Sequence, residues 1–156
     1  MDCGFEVSSL ATQAQFFRIG LMTGVCSPDE VREWALSVID KMDAPPGEII
    51  EVSWRKPTER LLEDLDSIEG EANLALAVKC LLQRLLQSLP AANDTLDCAV
   101  RQALQVARSL DDMGLYDEFD RIDDGLQLAA TGVYGTIAEC REGFEAAIRA
   151  YLAQSS

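Results

Sequence analysis

The stretch Ala72–Leu89, ANLALAVKCLLQRLLQSL, decides how the chain folds. It holds no acidic residue, in a chain that carries 27 of them. At 100° per residue, Leu74, Val78, Leu81, Leu82, Leu85 and Leu89 share one broad face, and Lys79, Gln83, Arg84 and Gln87 take the other. This is the pattern of an amphipathic helix on which other helices pack. It is not the pattern of a membrane span, because charged and amide side chains recur about every turn and sit in mid-segment.

Working outward, the rest of the chain has the same character. Of its 156 residues 48% are hydrophobic, which is enough to build a core and argues against disorder. Glycine and proline are sparse and fall between periodic segments, and no β-branched run alternates with period two. The expectation is an all-α fold, one domain over residues 1–156. It is a single compact bundle of six or seven helices around a central amphipathic helix at about 72–89, with residues 1–7 as a loose lead-in.

Upstream, Ser8 or Ser9 caps a helix running to about Leu21, with Leu10, Phe17 and Leu21 inward. Ser27-Pro28-Asp29-Glu30 is a capping box with proline at the first helical position, and it opens a second helix that turns Val31, Trp34, Ala35, Val38, Ile39 and Met42 inward. That helix stops before Pro45-Pro46, because the residue ahead of a proline avoids the α region. Glu48–Trp54 reads as a short helix, with a strand as the alternative. Pro57 starts another helix that turns Leu61, Leu62, Leu65 and Ile68 inward. Downstream, residues 90–94 (PAAND) are a break, and Asp94 or Thr95 caps a fifth long segment ending near Met113. Gly114 suits the left-handed position after a helix end. A further helix follows from about Tyr116 to Ala130, then a turn at Thr131–Gly135. A last helix carries Ile137, Cys140, Phe144, Ile148 and Tyr151 on its inner stripe.

Charge is the strongest functional signal. The formal net charge is −14. A surface this acidic repels nucleic acid and anionic membrane, and it favours either a basic partner or solubility alone. The charge concentrates in one run: Asp111, Asp112, Asp117, Glu118, Asp120, Asp123 and Asp124 stand against one cation, Arg121. Asp117, Asp120 and Asp124 fall on the face opposite Leu115, Phe119, Ile122 and Leu126. Asp117 and Glu118 suit a helix's first turn, where the dipole welcomes them. Asp111 and Asp112, read as the end of the preceding helix, cost about 0.3–1 kcal/mol each. The run reads either as a solvated face or as a contact for something cationic. It is not an EF-hand loop, which needs oxygens at alternate positions and glycine at the sixth.

Other chemistries find little footing. There is no histidine, so no Ser–His or Cys–His pair can form. The five cysteines (Cys3, Cys26, Cys80, Cys98 and Cys140) are scattered, without a CxxC pair, so no zinc site is expected. Cys80, Cys98 and Cys140 read as small buried hydrophobes. No signal peptide is visible at MDCGFEVSSL, and a cytoplasmic location is the expectation. No cofactor or metal is expected. Trp34 reads as core, and Trp54 as core or edge packing with exposure as the alternative.

Two resemblances add to this reading. Glu48-x-x-Glu51 and Glu63-x-x-Asp66 resemble the ExxE…ExxD acids of helical nucleoside-triphosphate pyrophosphatases, which implies a magnesium-dependent nucleotide hydrolase. Arg18–Ser53 resembles the N-terminal part of small helical bacterial immunity-type proteins. Arg18, Gly20, Leu21, Ser27-Pro28-Asp29-Glu30-Val31, Trp34-Ala35 and Pro45-Pro46 carry that likeness. It implies a cytoplasmic protein that protects a bacterium by binding a toxin domain and needs no catalytic residues. The leading expectation is therefore an acidic immunity protein, not an enzyme, whose partner is basic and is neither nucleic acid nor membrane. The nucleotide hydrolase and a self-associating adaptor are the alternatives, and the oligomeric state is open.

Overall fold

A computed structural model describes residues 4–89 and 95–154, without the side chain of Glu6. Every regular element among the described residues is helical. Among the described residues there are eight α-helices against the six or seven expected, and the short apolar segment after Pro46 is a helix, Gly47–Val52, with Ile49 and Val52 buried, rather than the alternative strand. The break at residues 90–94, Asp94 as a cap, and Cys3 lie outside the described residues. The chain divides into two compact units, Met1–Ala77 and Val78–Ser156. No linker marks the boundary, because it falls inside one helix.

In the first unit, a 3-10 turn at Phe5–Val7 leads in. Its Phe5 ring lies 4.7 Å from that of Phe16, so this part of the expected loose segment is packed. Helix α1 (Leu10–Thr23) is capped by Ser9, whose Oγ accepts from Thr12 N at 3.1 Å. It is buried nearly all round, Thr12 and Gln13 included, rather than along the stripe of Leu10, Phe17 and Leu21. The polar pair is tolerated because each atom has a partner. Thr12 Oγ1 accepts from Asn73 N, and Gln13 Oε1 accepts from Trp34 Nε1 at 2.8 Å while its Nε2 donates to Ser8 O. Helix α2 (Pro28–Lys41) starts at the expected cap, with Ser27 Oγ accepting from Glu30 N, and buries Val31, Trp34, Ala35 and Val38, while Ile39 is half-buried and Met42, the residue after the helix end, is exposed. Helix α3 (Gly47–Val52) packs on α2 and on α4 (Thr58–Asp66), and α4 packs on α1. Lys56 ties α3 to α4 through Glu51 and Asp64. Trp54 is exposed.

Helix α5 (Leu74–Gln87) carries the stretch first quoted. Val78, Leu81, Leu82 and Leu85 are buried as the spacing demands, but Leu74 is exposed and Leu89 lies beyond the helix end, half-buried. No helix among the described residues is long and apolar enough to cross a membrane.

In the second unit, α6 (Leu96–Arg108) packs on α7 (Met113–Ala130), and α7 packs on α8 (Ile137–Ala153). Phe119 and Phe144 meet edge to face at 5.7 Å, both fully buried. Thr136 caps α8 by accepting from Glu139 N. Of the cysteines read as small buried hydrophobes, Cys98 is exposed and Cys140 half-buried, while Cys80 is buried and disulfide-bonded.

Candidate functional site

The acidic run falls into two groups once the helix boundaries are known. Helix α6 ends at Arg108, earlier than expected, and α7 begins at Met113. Asp111 takes the left-handed conformation (φ 51°) that the sequence reading gave to Gly114, and Gly114 lies inside the new helix's first turn. Asp112 is then the N-cap of α7, its Oδ1 accepting from Leu115 N at 3.2 Å. Asp112 therefore does helix-starting work, contrary to the expectation that its charge was unfavourable there. Asp117 and Glu118 lie beyond the first turn and lose the dipole's support.

The remainder of the run follows the spacing. Leu115, Phe119 and Leu126 are buried and Ile122 is half-buried, so Asp117, Asp120 and Asp124 stand exposed on the opposite face. Among the described residues no ion pair engages Asp111, Asp117, Glu118, Asp120 or Asp124. Three like charges at i, i+3 and i+7 work against the helix by a few tenths of a kcal/mol per pair.

Past the end of α7, the turn Thr131–Gly135 is tightly built. Leu128 O accepts from Val133 N at 3.0 Å, from Tyr134 N at 3.4 Å and from Thr131 Oγ1 at 3.1 Å. Gly132 and Gly135 sit at φ near +74°, where a side chain would be strained. This frame holds Val133 70% and Tyr134 77% exposed. The glycines signalled a turn in the sequence, but not that its two apolar residues face solvent.

Asp123 differs from its neighbours. It lines a cleft of about 210 Å³ with Asp97 and Arg101 of α6, Leu126, Gln127 and Ala130 of α7, and Ile137 of α8. Its Oδ2 accepts from Gln127 Nε2 at 3.4 Å, while its Oδ1 has almost no accessible surface and no hydrogen-bond partner. A buried oxygen left without a donor costs about 1–3 kcal/mol, more when charged. Sequence spacing could not find Asp97 and Arg101, because they come from another helix.

Two nearby groups have displaced proton affinities. Burial first, and then the Asp112 carboxylate, push the Tyr151 phenol up from its ordinary value. Burial first, and then Glu139, do the same to the Cys140 thiol.

The acids of the pyrophosphatase-like pattern serve other partners. Glu51 faces Lys56 at 3.6 Å, and Asp66 faces Arg18 at 3.7 Å and accepts from Gln15 Nε2. Among the described residues no three of Asp, Glu and Cys are grouped so as to hold a metal ion, so Glu48, Glu51, Glu63 and Asp66 are not gathered into one. In the first unit, a second cavity of about 250 Å³ lies beside Phe5, Gln13, Trp34, Val38 and Lys41.

No family model, curated protein or solved structure matches the chain.

Proposed function

We propose that the protein acts by binding a basic protein, and that it is an immunity protein which neutralises a bacterial toxin domain by direct contact. The observation that carries this reading is the exposed face of α7, where Asp117, Asp120 and Asp124 stand unpaired among the described residues. Carboxylates that the helix does not need are suited to steer and complement a cationic surface. Nuclease toxins are basic where they hold phosphate, and an acidic inhibitor face complements them. The rigid turn after the same helix supports the reading. Val133 and Tyr134, exposed in that turn, are an apolar and an aromatic residue of the kind that anchors interfaces. In this reading the protein works inside the cell; the disulfide at Cys80 is the observation that runs against a reducing compartment.

The test is affinity for a captured basic partner. Reversal of Asp117, Asp120 and Asp124 to lysine should weaken the complex at least about tenfold, mostly through slower association, while the helical content stays unchanged. Unchanged affinity in that triple variant removes the face from the interface.

A further inference from the structure

We propose that the cleft between α6, α7 and the start of α8 binds a free α-amino acid with a branched aliphatic side chain. Each part of such a ligand answers a group that the cleft leaves unanswered. Asp123 Oδ1 is buried without a donor, and its other oxygen holds only a long bond from the exposed Gln127 side chain. A carboxylate placed in this way calls for an N–H, and an ammonium group supplies three.

Arg101 calls for the opposite charge. It follows Asp97 by four residues on α6, the spacing at which an acid and a base on a helix pair most readily. Among the described residues neither makes an ion pair, and Arg101 lines the same cleft as Asp123. Its guanidinium is free to grip a carboxylate with two parallel hydrogen bonds. The remaining wall is apolar: Leu126, Ala130 and Ile137. A volume of about 210 Å³ admits a side chain of three or four carbons beside the two charged ends.

The combination fits simpler ligands less well. A cation alone, such as a lysine side chain of a protein partner, leaves Arg101 unopposed. A carboxylate alone meets Asp97 and Asp123. A ligand that carries both charges answers Asp123 and Arg101 together. The Asp123 carboxylate reaches the ammonium by turning about its last side-chain torsion, which is broad and soft. This inference goes beyond the toxin-binding reading and does not depend on it.

The experiment is a titration of the full chain with L-leucine, followed by calorimetry and by amide NMR shifts. It is repeated with leucinamide, which lacks the carboxylate, and with 4-methylpentanoate, which lacks the ammonium. The expected result is saturable binding of L-leucine with shifts centred on Asp97, Arg101 and Asp123, and binding of both analogues at least about tenfold weaker. Asp123→Asn and Arg101→Gln should each lose at least about tenfold in affinity and keep the native melting transition. Absence of saturable shifts with L-leucine at about 10 mM overturns the proposal, since a site of this size that binds at all should reach the millimolar range. Leucinamide binding as well as leucine also overturns it, by showing a site for cations only. The analogue comparison uses the unaltered chain, so the test survives a variant that does not fold. No protein partner enters any of these readouts, so failure here leaves the toxin-binding reading untouched.

Discussion

At the scale of single residues, two aspartates of one acidic run have opposite effects on stability. Asp112 caps α7 by accepting from Leu115 N, so Asp112→Ala should cost about 1 kcal/mol, read as a lower denaturation midpoint with an unchanged slope. Asp123 buries an oxygen without a donor, so Asp123→Asn, which removes the charge and keeps the shape, should hold or raise the melting temperature, by up to about 2–4 °C. Neither effect was legible in the sequence. Spacing puts Asp112 at the costly end of one helix rather than the start of the next because it sets the boundary between α6 and α7 too late, with Gly114 as the helix-ending residue. A non-glycine residue, Asp111, occupies the left-handed position, which aspartate tolerates better than most.

Tyr151 gives a pH dependence. Its phenol is raised in the folded chain by burial and then by Asp112, so folding favours the protonated form. That contribution is fully present below the ordinary phenol pKa and is lost as pH rises through the raised value. Stability should therefore fall on the alkaline side, from about pH 10 upward, and Tyr151→Phe should flatten that fall. Denaturant midpoints measured from pH 8 to about 11 check it. An identical alkaline slope in the variant contradicts the assignment.

At the scale of elements, local chemistry was legible and burial was less so. The Ser27-Pro28-Asp29-Glu30 cap, the helices either side of Pro45-Pro46 and the exposed face of Asp117, Asp120 and Asp124 all follow from spacing within one helix. The buried surface of α1 does not. A helix enclosed nearly all round has no polar stripe to reveal it, and its Thr12 and Gln13 are made acceptable by partners from distant parts of the chain. The cleft at Asp123 was hidden for the same reason, since Asp97 and Arg101 of its lining belong to α6 and Ile137 to α8. Glycines sort by the conformation they occupy. Gly143 lies within α8 with open space where a Cβ would go, so Gly143→Ala should stabilise by about 0.5–1 kcal/mol. Gly135 holds φ at +73°, so Gly135→Ala should destabilise by about 1 kcal/mol or more and loosen the turn that presents Val133 and Tyr134. Thermal melts of the two variants should move in opposite directions.

At the scale of the whole molecule, the stretch Ala72–Leu89 was right in kind. It forms a helix with an apolar face, and every regular element among the described residues is helical. Its place was not legible. The boundary between the two compact units falls within α5, and periodicity inside one helix carries no information about which neighbours take which end. The net charge of −14 belongs to this scale too. Spread evenly it would favour solubility alone, but on α7 it is gathered on a face where no ion pair among the described residues neutralises it. That concentration is what the proposed contact with a basic partner rests on.

The most direct measurement is capture of partners from host extract on the tagged chain, run in parallel with the Asp117, Asp120 and Asp124 to lysine variant and washed from low to high salt. Binding through the α7 face predicts one basic protein held by the native chain, released as salt rises, and absent from the variant. A partner held equally by both chains at every salt concentration, or no partner on the native chain, would contradict it.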